Sequence, residues 1–458
     1  MKVGFIFPSS DYLHDPFRGD PHTHYQILTV LDDHFGERIT TSLIDLRGIK
    51  KEFALYHIEP CDVYLQSVYT LDYEEQVSLV KGLRALFPEA IHIAGGPHAT
   101  VYQEECLKHF DALVLGDGEK SIIQALEDLR DGKLRQTYRM DVRIDINDYP
   151  VPRRHWLPVQ ATARPNMVTL KNKPGYDKLL GTTVNLSRGC PSKCSFCAMT
   201  SIREEGSPGL RYRDPHWVEA ELEYLKKDFG IQGISLTDEI GIPLSMRRAV
   251  PHLEAIGRTG IVWRGQSRCD AVKPEVIKLA KESGCVALGM GVESVSQVSL
   301  DLIRKDLDIE TAKRAIGILK DFDIEPRVYM IIGLPGEPPD IVERTWRFIE
   351  ETEPSLVYLS LFTVRPGTEV FDNPKRFGIR AIQTDWRKTM HMYGRYDDEI
   401  PSLTFEYERD APWGRAFSNR EIVDNYLELQ ARLRNKGLAS LTPHYVGADD
   451  KDAQVGSL

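Results

Sequence analysis

No stretch of the 458-residue chain approaches the ~18 consecutive apolar residues of a membrane helix, since even VYMIIGLPG and VYLSLFTV stop after a few positions. A membrane span is therefore not expected. The start, MKVGFIF, carries one Lys and ends its apolar run at Pro8, too little for the core of a signal peptide, so a cytoplasmic location is expected. Basic charge is not in excess: 58 Lys and Arg stand against 68 Asp and Glu, a net charge of −10. That balance leaves no electrostatic footprint for wrapping a phosphate backbone, and nucleic acid is not an expected partner. Cysteine is scarce, with seven residues in an odd-numbered scatter that matches no secreted disulfide framework. What remains is the composition of a folded globular protein, 28% charged and 41% hydrophobic, long enough for two or three domains.

Short β-rich runs at Lys2–Phe7, Thr41–Leu46, Val63–Val68, Ala90–Ile93 and Ala112–Leu115 alternate with helical patterns. This alternation is the signature of βαβ units and a parallel sheet. Tyr73, Val77, Val80, Leu83 and Phe87 recur at helical spacing until Pro88 breaks the pattern. Residues 1–138 are therefore expected to form a doubly wound, Rossmann-like domain. The carboxyl ends of its strands carry Pro8-Ser9-Ser10, Ser67-Val68-Tyr69-Thr70, Gly95-Gly96-Pro97-His98 and Gly116-Asp117-Gly118-Glu119. In open α/β sheets a ligand lies along that edge, and glycine lets a backbone approach it closely; the same glycines also suit plain strand-to-helix turns. His14, His22 and His24 are spaced irregularly, with no cysteine or HExxH-type pattern beside them. They are expected to be surface histidines, not metal ligands.

A proline-punctuated stretch, Asp148 to Arg154, marks a linker over 139–180. A second alternating region, 181–375, begins with a strand near Thr182 and runs into Cys190-Pro191-Ser192-Lys193-Cys194-Ser195-Phe196-Cys197. Gly189 and Pro191 give the curvature that aims three sulfurs of a CxxxCxxC motif at a common point. Thiolates are soft ligands suited to iron–sulfur clusters or zinc. Three sulfurs hold three irons of a four-iron cluster and leave the fourth open to a chelating small molecule. A structural zinc would need a further ligand, such as Cys269, Cys285 or a histidine. An inert cluster of buried cysteines is the remaining alternative.

CxxxCxxC with an aromatic residue, Phe196, before the last cysteine resembles the radical S-adenosylmethionine (SAM) enzymes. Six β/α units follow, with strands near Thr182, Ile234, Ile261, Val286, Val328 and Tyr358 and helical stretches such as Trp217–Lys227 and Lys273–Ser283; this is similar to the family's partial (βα)6 barrel. The resemblance implies a 4Fe–4S cluster on Cys190, Cys194 and Cys197. It also implies cleavage of SAM, bound at the open iron, to a 5′-deoxyadenosyl radical. Its ligand needs an ammonium partner, a carboxylate donor, ribose acceptors and an adenine slot. The resemblance places these at strand ends: Asp238 and Glu239, then Gln266 and Arg268, then Glu293 as the ribose contact. Arg327 and the Gly333-Leu334 loop as adenine wall complete the set, with Phe196 beside the cluster.

A doubly wound domain bearing GGPHAT and LGDGE before such a barrel is similar to the cobalamin-binding subclass of the same superfamily. The implied corrinoid contacts are Ser9, Ser67, Tyr69 and Thr70 on one side of the edge and Gly95, Gly96, Pro97, His98, Gly116 and Glu119 on the other. The segments Asp62–Thr70 and Gly95–Thr100 would enclose the cobalamin tail, with Tyr69–Leu71 near the lower corrin face. The DxHxxG motif of other cobalamin proteins is absent, as it is in many members of the subclass. The implied reaction is methyl transfer to an unactivated carbon, with both cofactors facing one pocket and a ferredoxin or flavodoxin as electron donor. A peptide or protein substrate such as methyl-coenzyme M reductase ranks first. The alternatives are a cyclase, oxidoreductase or rearrangement enzyme acting on a lipid or tetrapyrrole, or a corrinoid or iron–sulfur sensor without turnover.

Residues 376–458 leave the barrel pattern. Ser418 and Glu421 form a capping-box signal, and Ile422, Tyr426, Leu429 and Leu433 mark one apolar helix face. A small, mostly helical cap is expected, in which Trp386, His391, Tyr393, Tyr396 and Trp413 either line a substrate entrance or pack the cap itself. The polar tail Gly447–Leu458 is expected to be mobile.

Overall fold

The computed structural model describes the chain except residues 11–14, 18, 141–143, 172, 201–208, 386–402 and 440–458. His14, the aromatics Trp386, His391, Tyr393 and Tyr396, and the tail 447–458 lie outside the described residues. The chain divides into two compact units, one of Met1–Arg164 with Ile202–Phe229, the other of Pro165–Ser201 with Gly230–Leu458.

The first unit is built on a six-stranded sheet of β1 (Lys2–Phe7), β2 (Thr40–Asp45), β3 (Val63–Ser67), β4 (Ile91–Gly95), β5 (Ala112–Leu115) and β6 (Thr137–Arg139), in the order 2-1-3-4-5-6. Every neighbouring pair is parallel. Strands buried on both faces read as continuous apolar runs, which is why VYLQS of β3 has no exposed residue. Helices α1 (His22–Phe35), α2 (Tyr73–Leu86), α3 (Gly96–Val101) and α4 (Gly118–Arg130) cross over between strands. Leu28, Leu31, Val63 and Leu126 are buried where α1 and α4 meet the sheet; each such side chain contributes about 1.5–3 kcal/mol relative to exposure. The strand order reverses between β1 and β3, so the loops after Phe7 and Ser67 diverge at a topological switch point, where open α/β sheets hold ligands.

Three features of this unit depart from the sequence reading. Helix α5 (Pro215–Phe229), expected as a barrel helix, belongs to the first unit. Its Glu221 lies 3.5 Å from Arg154, which also pairs with Asp20 at 2.7 Å, all three side chains being buried. Arg154 and Arg153, expected in a linker, are thus part of the fold; Arg153 Nη1 donates to Asp33 at 2.6 Å. His24 is not a surface residue. It is buried between Phe5 and Phe7, with ring centroids 4.0 and 4.8 Å away, and Nε2 meets the Ile6 carbonyl at 3.1 Å. Burial holds its imidazole down at about 3, because helix periodicity turns this position inward.

The second unit is a parallel six-stranded half-barrel of β7 (Gly181–Val184), β8 (Gly233–Leu236), β9 (Val262–Ser267), β10 (Cys285–Glu293), β11 (Glu325–Ile332) and β12 (Leu356–Leu361), paired in sequential order. Helices α6 (Met246–Thr259), α7 (Pro274–Glu282), α8 (Ile309–Asp321) and α9 (Ile341–Thr352) connect the later strands. The amino-terminal end of the sheet is covered by residues 165–171. Arg264 Nε donates to the Met167 carbonyl at 2.8 Å, and Glu325 accepts from the Lys171 amide at 2.8 Å. A Cβ on Gly233 would stand 2.8 Å from Val168, so this strand needs glycine to admit the segment. The carboxyl-terminal portion holds an antiparallel pair, β13 (Ile379–Ile382) and β14 (Phe405–Tyr407), besides helix α10 (Asn419–Asn435). The capping box forms as read: Ser418 accepts from the Glu421 amide and Glu421 from the Ser418 amide. Trp413 packs edge-on against Tyr407, centroids 5.5 Å apart, which assigns it to packing within this portion.

Candidate functional site

The chain leaves β7 at Val184 and turns at Gly189, whose φ of 87° suits glycine, into the cysteine loop. Ser195 pins that loop: its amide donates to the Ile303 carbonyl at 2.9 Å, its carbonyl accepts from the Val370 amide at 3.1 Å, and its hydroxyl donates to Glu369 at 2.9 Å. Cys194 is buried, while Cys190 and Cys197 are half-buried, and none forms a disulfide. Burial pushes the Cys194 thiol up to about 11, and burial also raises Cys197. Neighbouring thiols add to this, Cys197 acting on Cys194 and Cys190 on Cys197. Crowded thiols, of which Cys194 and Cys197 resist ionisation, are a donor set that a bound cation would complete, since coordination removes the proton outright. Among the described residues no three His, Cys, Asp or Glu side chains are grouped as ligands of a single metal ion. The cysteines of an iron–sulfur cluster bind different irons and need no such grouping.

The carboxyl ends of the following strands bring charge toward the loop. Glu293, last residue of β10, has a φ of 68°, a strained value for a side chain of this size. Its carboxylate pairs with Lys305 at 2.6 Å, both side chains nearly buried. Burial alone would lower the Lys305 ammonium, but Glu293 and then Cys194 raise it by more, so it stays above its ordinary value. A Cβ on Gly291 would fall 2.3 Å from Glu293 Oε1 and 2.8 Å from Lys305 Nζ, so glycine makes room for the pair. Lys305 was missed in the sequence because no motif marks it. It is delivered by a turn in which Arg304 and Asp306 both have positive φ. Arg268 contacts the Ser192 hydroxyl in the cysteine loop and pairs with Asp270 at 2.9 Å. Phe196 and Glu239 are half-buried near these strand ends.

Other expected SAM contacts are engaged with partners within the protein. Asp238 is buried and accepts the Leu186 amide at 3.1 Å and the Ser187 hydroxyl, while Gln266 Nε2 donates to the Asp238 carbonyl at 2.9 Å. Burial raises the Asp238 carboxyl to about 7 against the pull of those hydrogen bonds. Arg327 lies in the amino-terminal half of β11, away from the Gly333 loop at the other end of that strand. It pairs with Glu325 at 2.7 Å and donates to the Thr169 carbonyl, holding the segment that covers the sheet's amino-terminal end. Gly333 and Leu334 are buried. The Gly333 amide donates to Glu337 at 2.9 Å, its carbonyl accepts from Tyr407 at 2.8 Å, and a Cβ there would stand 2.7 Å from Ile422.

Burial pushes the Glu337 carboxyl up to about 8, partly opposed by the Gly333 and Leu334 amides. Because the folded value exceeds the ordinary 4.5, its contribution to stability is complete below 4.5 and is lost as pH rises through about 8. Glu337→Gln keeps an acceptor for the Gly333 amide without a proton to lose. Its melting temperature is expected to gain on wild type between about pH 5 and about pH 9; a constant difference contradicts this placement.

In the first unit the switch-point loops are built by buried carboxylates. Glu75 accepts the Ser9 amide at 2.7 Å and the Ser9 hydroxyl at 2.8 Å. Asp72 accepts the Tyr69 amide at 3.1 Å and Gln76 Nε2 at 2.6 Å, and burial raises its carboxyl to about 7. Ser9, Ser67, His98 and Glu119 are buried, whereas Tyr69 and Gly116 are exposed and Thr70, Gly95, Gly96 and Pro97 half-buried. His98 meets Thr70 Oγ1 through Nδ1 at 3.0 Å, with Tyr73 and Tyr102 rings 4.3 and 4.7 Å from its own. The β3 and β4 loops are stitched by Val68 N–H to Gly95 O at 2.8 Å and His98 N–H to Val68 O at 3.1 Å. Gly96 has a φ of 90°, and its Cβ would meet Val68 N and O at 2.9 Å. Gly96→Ala is therefore expected to cost about 1–3 kcal/mol, read as a lowered denaturation midpoint; an unchanged midpoint refutes the stitched edge.

The family model of the Radical SAM superfamily fits residues 184–349. The half-barrel with its cysteine loop is therefore a radical SAM domain. The chain is similar, over roughly three quarters of its length, to proteins named as methyltransferases and as a cyclase. It shares its fold, at TM-score 0.64 and 17% identity, with the radical S-adenosylmethionine methyltransferase TsrM from Kitasatospora setae, solved with cobalamin and a 4Fe–4S cluster bound; the match covers 80% of this chain and 76% of that one. The anaerobic magnesium-protoporphyrin IX monomethyl ester cyclase of Rubrivivax gelatinosus is 24% identical over 360 residues, 74% of this chain and 60% of the cyclase. The bacteriochlorophyllide d C-12(1)-methyltransferase of Chlorobaculum tepidum is 23% identical over 356 residues, 76% of this chain and 70% of that enzyme. The chain thus spans about three fifths of the cyclase's length.

Proposed function

We propose that this chain is a cobalamin-dependent radical SAM C-methyltransferase that methylates an unactivated carbon. The observation that carries the reading is the CxxxCxxC loop at the carboxyl end of β7 in a half-barrel, in one chain with a switch-point sheet. When bound, a 4Fe–4S cluster with SAM and cobalamin supplies a hydrogen-abstracting radical and a methyl donor. The chain's residues bind and orient. Cys190, Cys194 and Cys197 would hold three of the cluster's irons. Lys305 and Arg268 offer cations to the methionyl carboxylate, Glu239 an anion to its ammonium, and Glu293 an acceptor to ribose. Glu75 and Asp72 fix the loops of Ser9 and Tyr69, and these loops, with Thr70 and the Gly95-Gly96 turn, would hold a corrinoid at the sheet edge. In this reading the first unit, with residues 1–138 at its centre, binds the corrinoid, the half-barrel of the second houses the cluster and 376–458 contributes to the substrate site, with an external low-potential electron donor.

The substrates named in the two relatives are tetrapyrroles, which moves the substrate class from the peptide or protein expected on sequence toward a small molecule. A second reading, ring formation, is favoured by the cyclase relative. Anaerobic turnover with SAM carrying a deuterated methyl group separates the two. Label in the product carbon skeleton supports methyl transfer; deoxyadenosine with an unlabelled, cyclised product refutes it.

A further inference from the structure

We infer that Asp238 is a positioning residue for the cysteine loop and not the partner of a methionyl ammonium group, an inference that rests on the proposed cluster site. Sequence position at the end of β8 suits either role, and geometry decides between them. Both carboxylate oxygens lie within hydrogen-bond reach of the Leu186 amide, at 3.1 and 3.2 Å, and one also accepts the Ser187 hydroxyl. The residue is 2% exposed, so its accepting capacity is directed at its own chain. Leu186 and Ser187 immediately precede the Arg188-Gly189 turn into Cys190. Asp238 therefore fixes the point from which the loop departs, as Ser195 fixes its far side through Ile303, Val370 and Glu369.

The backbone that carries this carboxylate is itself braced. Gln266 Nε2 donates to the Asp238 carbonyl at 2.9 Å, and the Gln266 carbonyl accepts from the Gly241 amide at 2.8 Å. The Thr237 amide donates to the Val184 carbonyl at 3.0 Å, and its hydroxyl contacts Asn185. The ends of β7, β8 and β9 are thus tied in sequence, and a shift of Asp238 would move the loop's origin and all three sulfurs. Glu239, one residue on and half-buried, is left as the carboxylate for the ammonium group.

The test compares Asp238→Ala, Asp238→Asn and Glu239→Gln in the full-length chain, reconstituted anaerobically with iron and sulfide. Asp238→Ala is expected to load less iron and to surrender it to a chelator about tenfold faster. Asp238→Asn, whose amide can still accept from Leu186 and pair with Ser187, is expected to restore retention. In that variant SAM should still perturb the electron paramagnetic resonance spectrum of the reduced cluster. Glu239→Gln is expected to load fully and lose that perturbation. Full retention in Asp238→Ala, or loss of the SAM perturbation in Asp238→Asn, overturns the inference. A wild-type chain that takes up no iron overturns the cluster site itself, a result distinct from either. If Asp238→Ala does not fold, Asp238→Asn alone decides, because a contact role and a positioning role predict opposite spectra for it.

Discussion

Replacement of Cys194 by serine is expected to leave a folded protein that holds no stable four-iron cluster and forms no deoxyadenosine. Cys194 is the most enclosed of the three thiols, and burial keeps its proton on. A hydroxyl at the same place is a harder and far less acidic donor, poorly matched to iron that prefers sulfur. The fold should survive, because the loop is anchored through Ser195 to Ile303, Val370 and Glu369 and not through the sulfur. The expected readout is loss of the charge-transfer absorbance of the reconstituted protein with an unchanged circular dichroism spectrum. Full cluster content in Cys194→Ser would show that the trio is not the ligand set.

Lys305→Met is expected to produce the largest loss of stability among the site variants, about 3–5 kcal/mol. The lysine ammonium and the Glu293 carboxylate lie 2.6 Å apart with side chains 12% and 11% exposed. Removing one partner strands the other charge in a poorly hydrated place, a heavier cost than the pair's net contribution. The double variant Lys305→Met, Glu293→Gln should recover much of the loss, because no lone charge remains. Lys305 is held above its ordinary value of 10.5, so its contribution is complete below 10.5 and is lost only as pH rises through the folded-state value. The deficit should therefore be level from neutral to mildly alkaline pH. Urea titrations at two such pH values check this, and a single variant as stable as wild type contradicts the buried pair.

The strands were legible because parallel strands buried on both faces read as uninterrupted apolar runs; Lys2–Phe7 and Ala112–Leu115 are found where expected. The cysteine loop was legible because its spacing is local. Features that depend on distant pairing were not. Lys305 reaches Glu293 only through a turn with two positive-φ residues, and no local pattern announces it. Arg327, expected as a SAM contact that opens the fifth strand, has Glu325 two residues away as its partner and reaches the Thr169 carbonyl, pairings that no local spacing announces. The stretch from 139 to 180 looked like linker through its prolines, yet Arg154 is buried between Asp20 and Glu221, and Thr169 accepts from Arg327. His24, expected at the surface as a polar residue, lies on the inward face of α1 against Phe5 and Phe7, so its position on the helix and not its residue type decides its burial.

The most direct measurement is electron–nuclear double resonance on the anaerobically reduced, cluster-loaded protein with SAM labelled with 15N at the amino group and 17O at the carboxylate. Coupling of both nuclei to the cluster, from an iron that no protein side chain ligates, is the result the account predicts. A cluster spectrum unaffected by the labelled molecule, with the fourth iron held by a protein side chain, would contradict it.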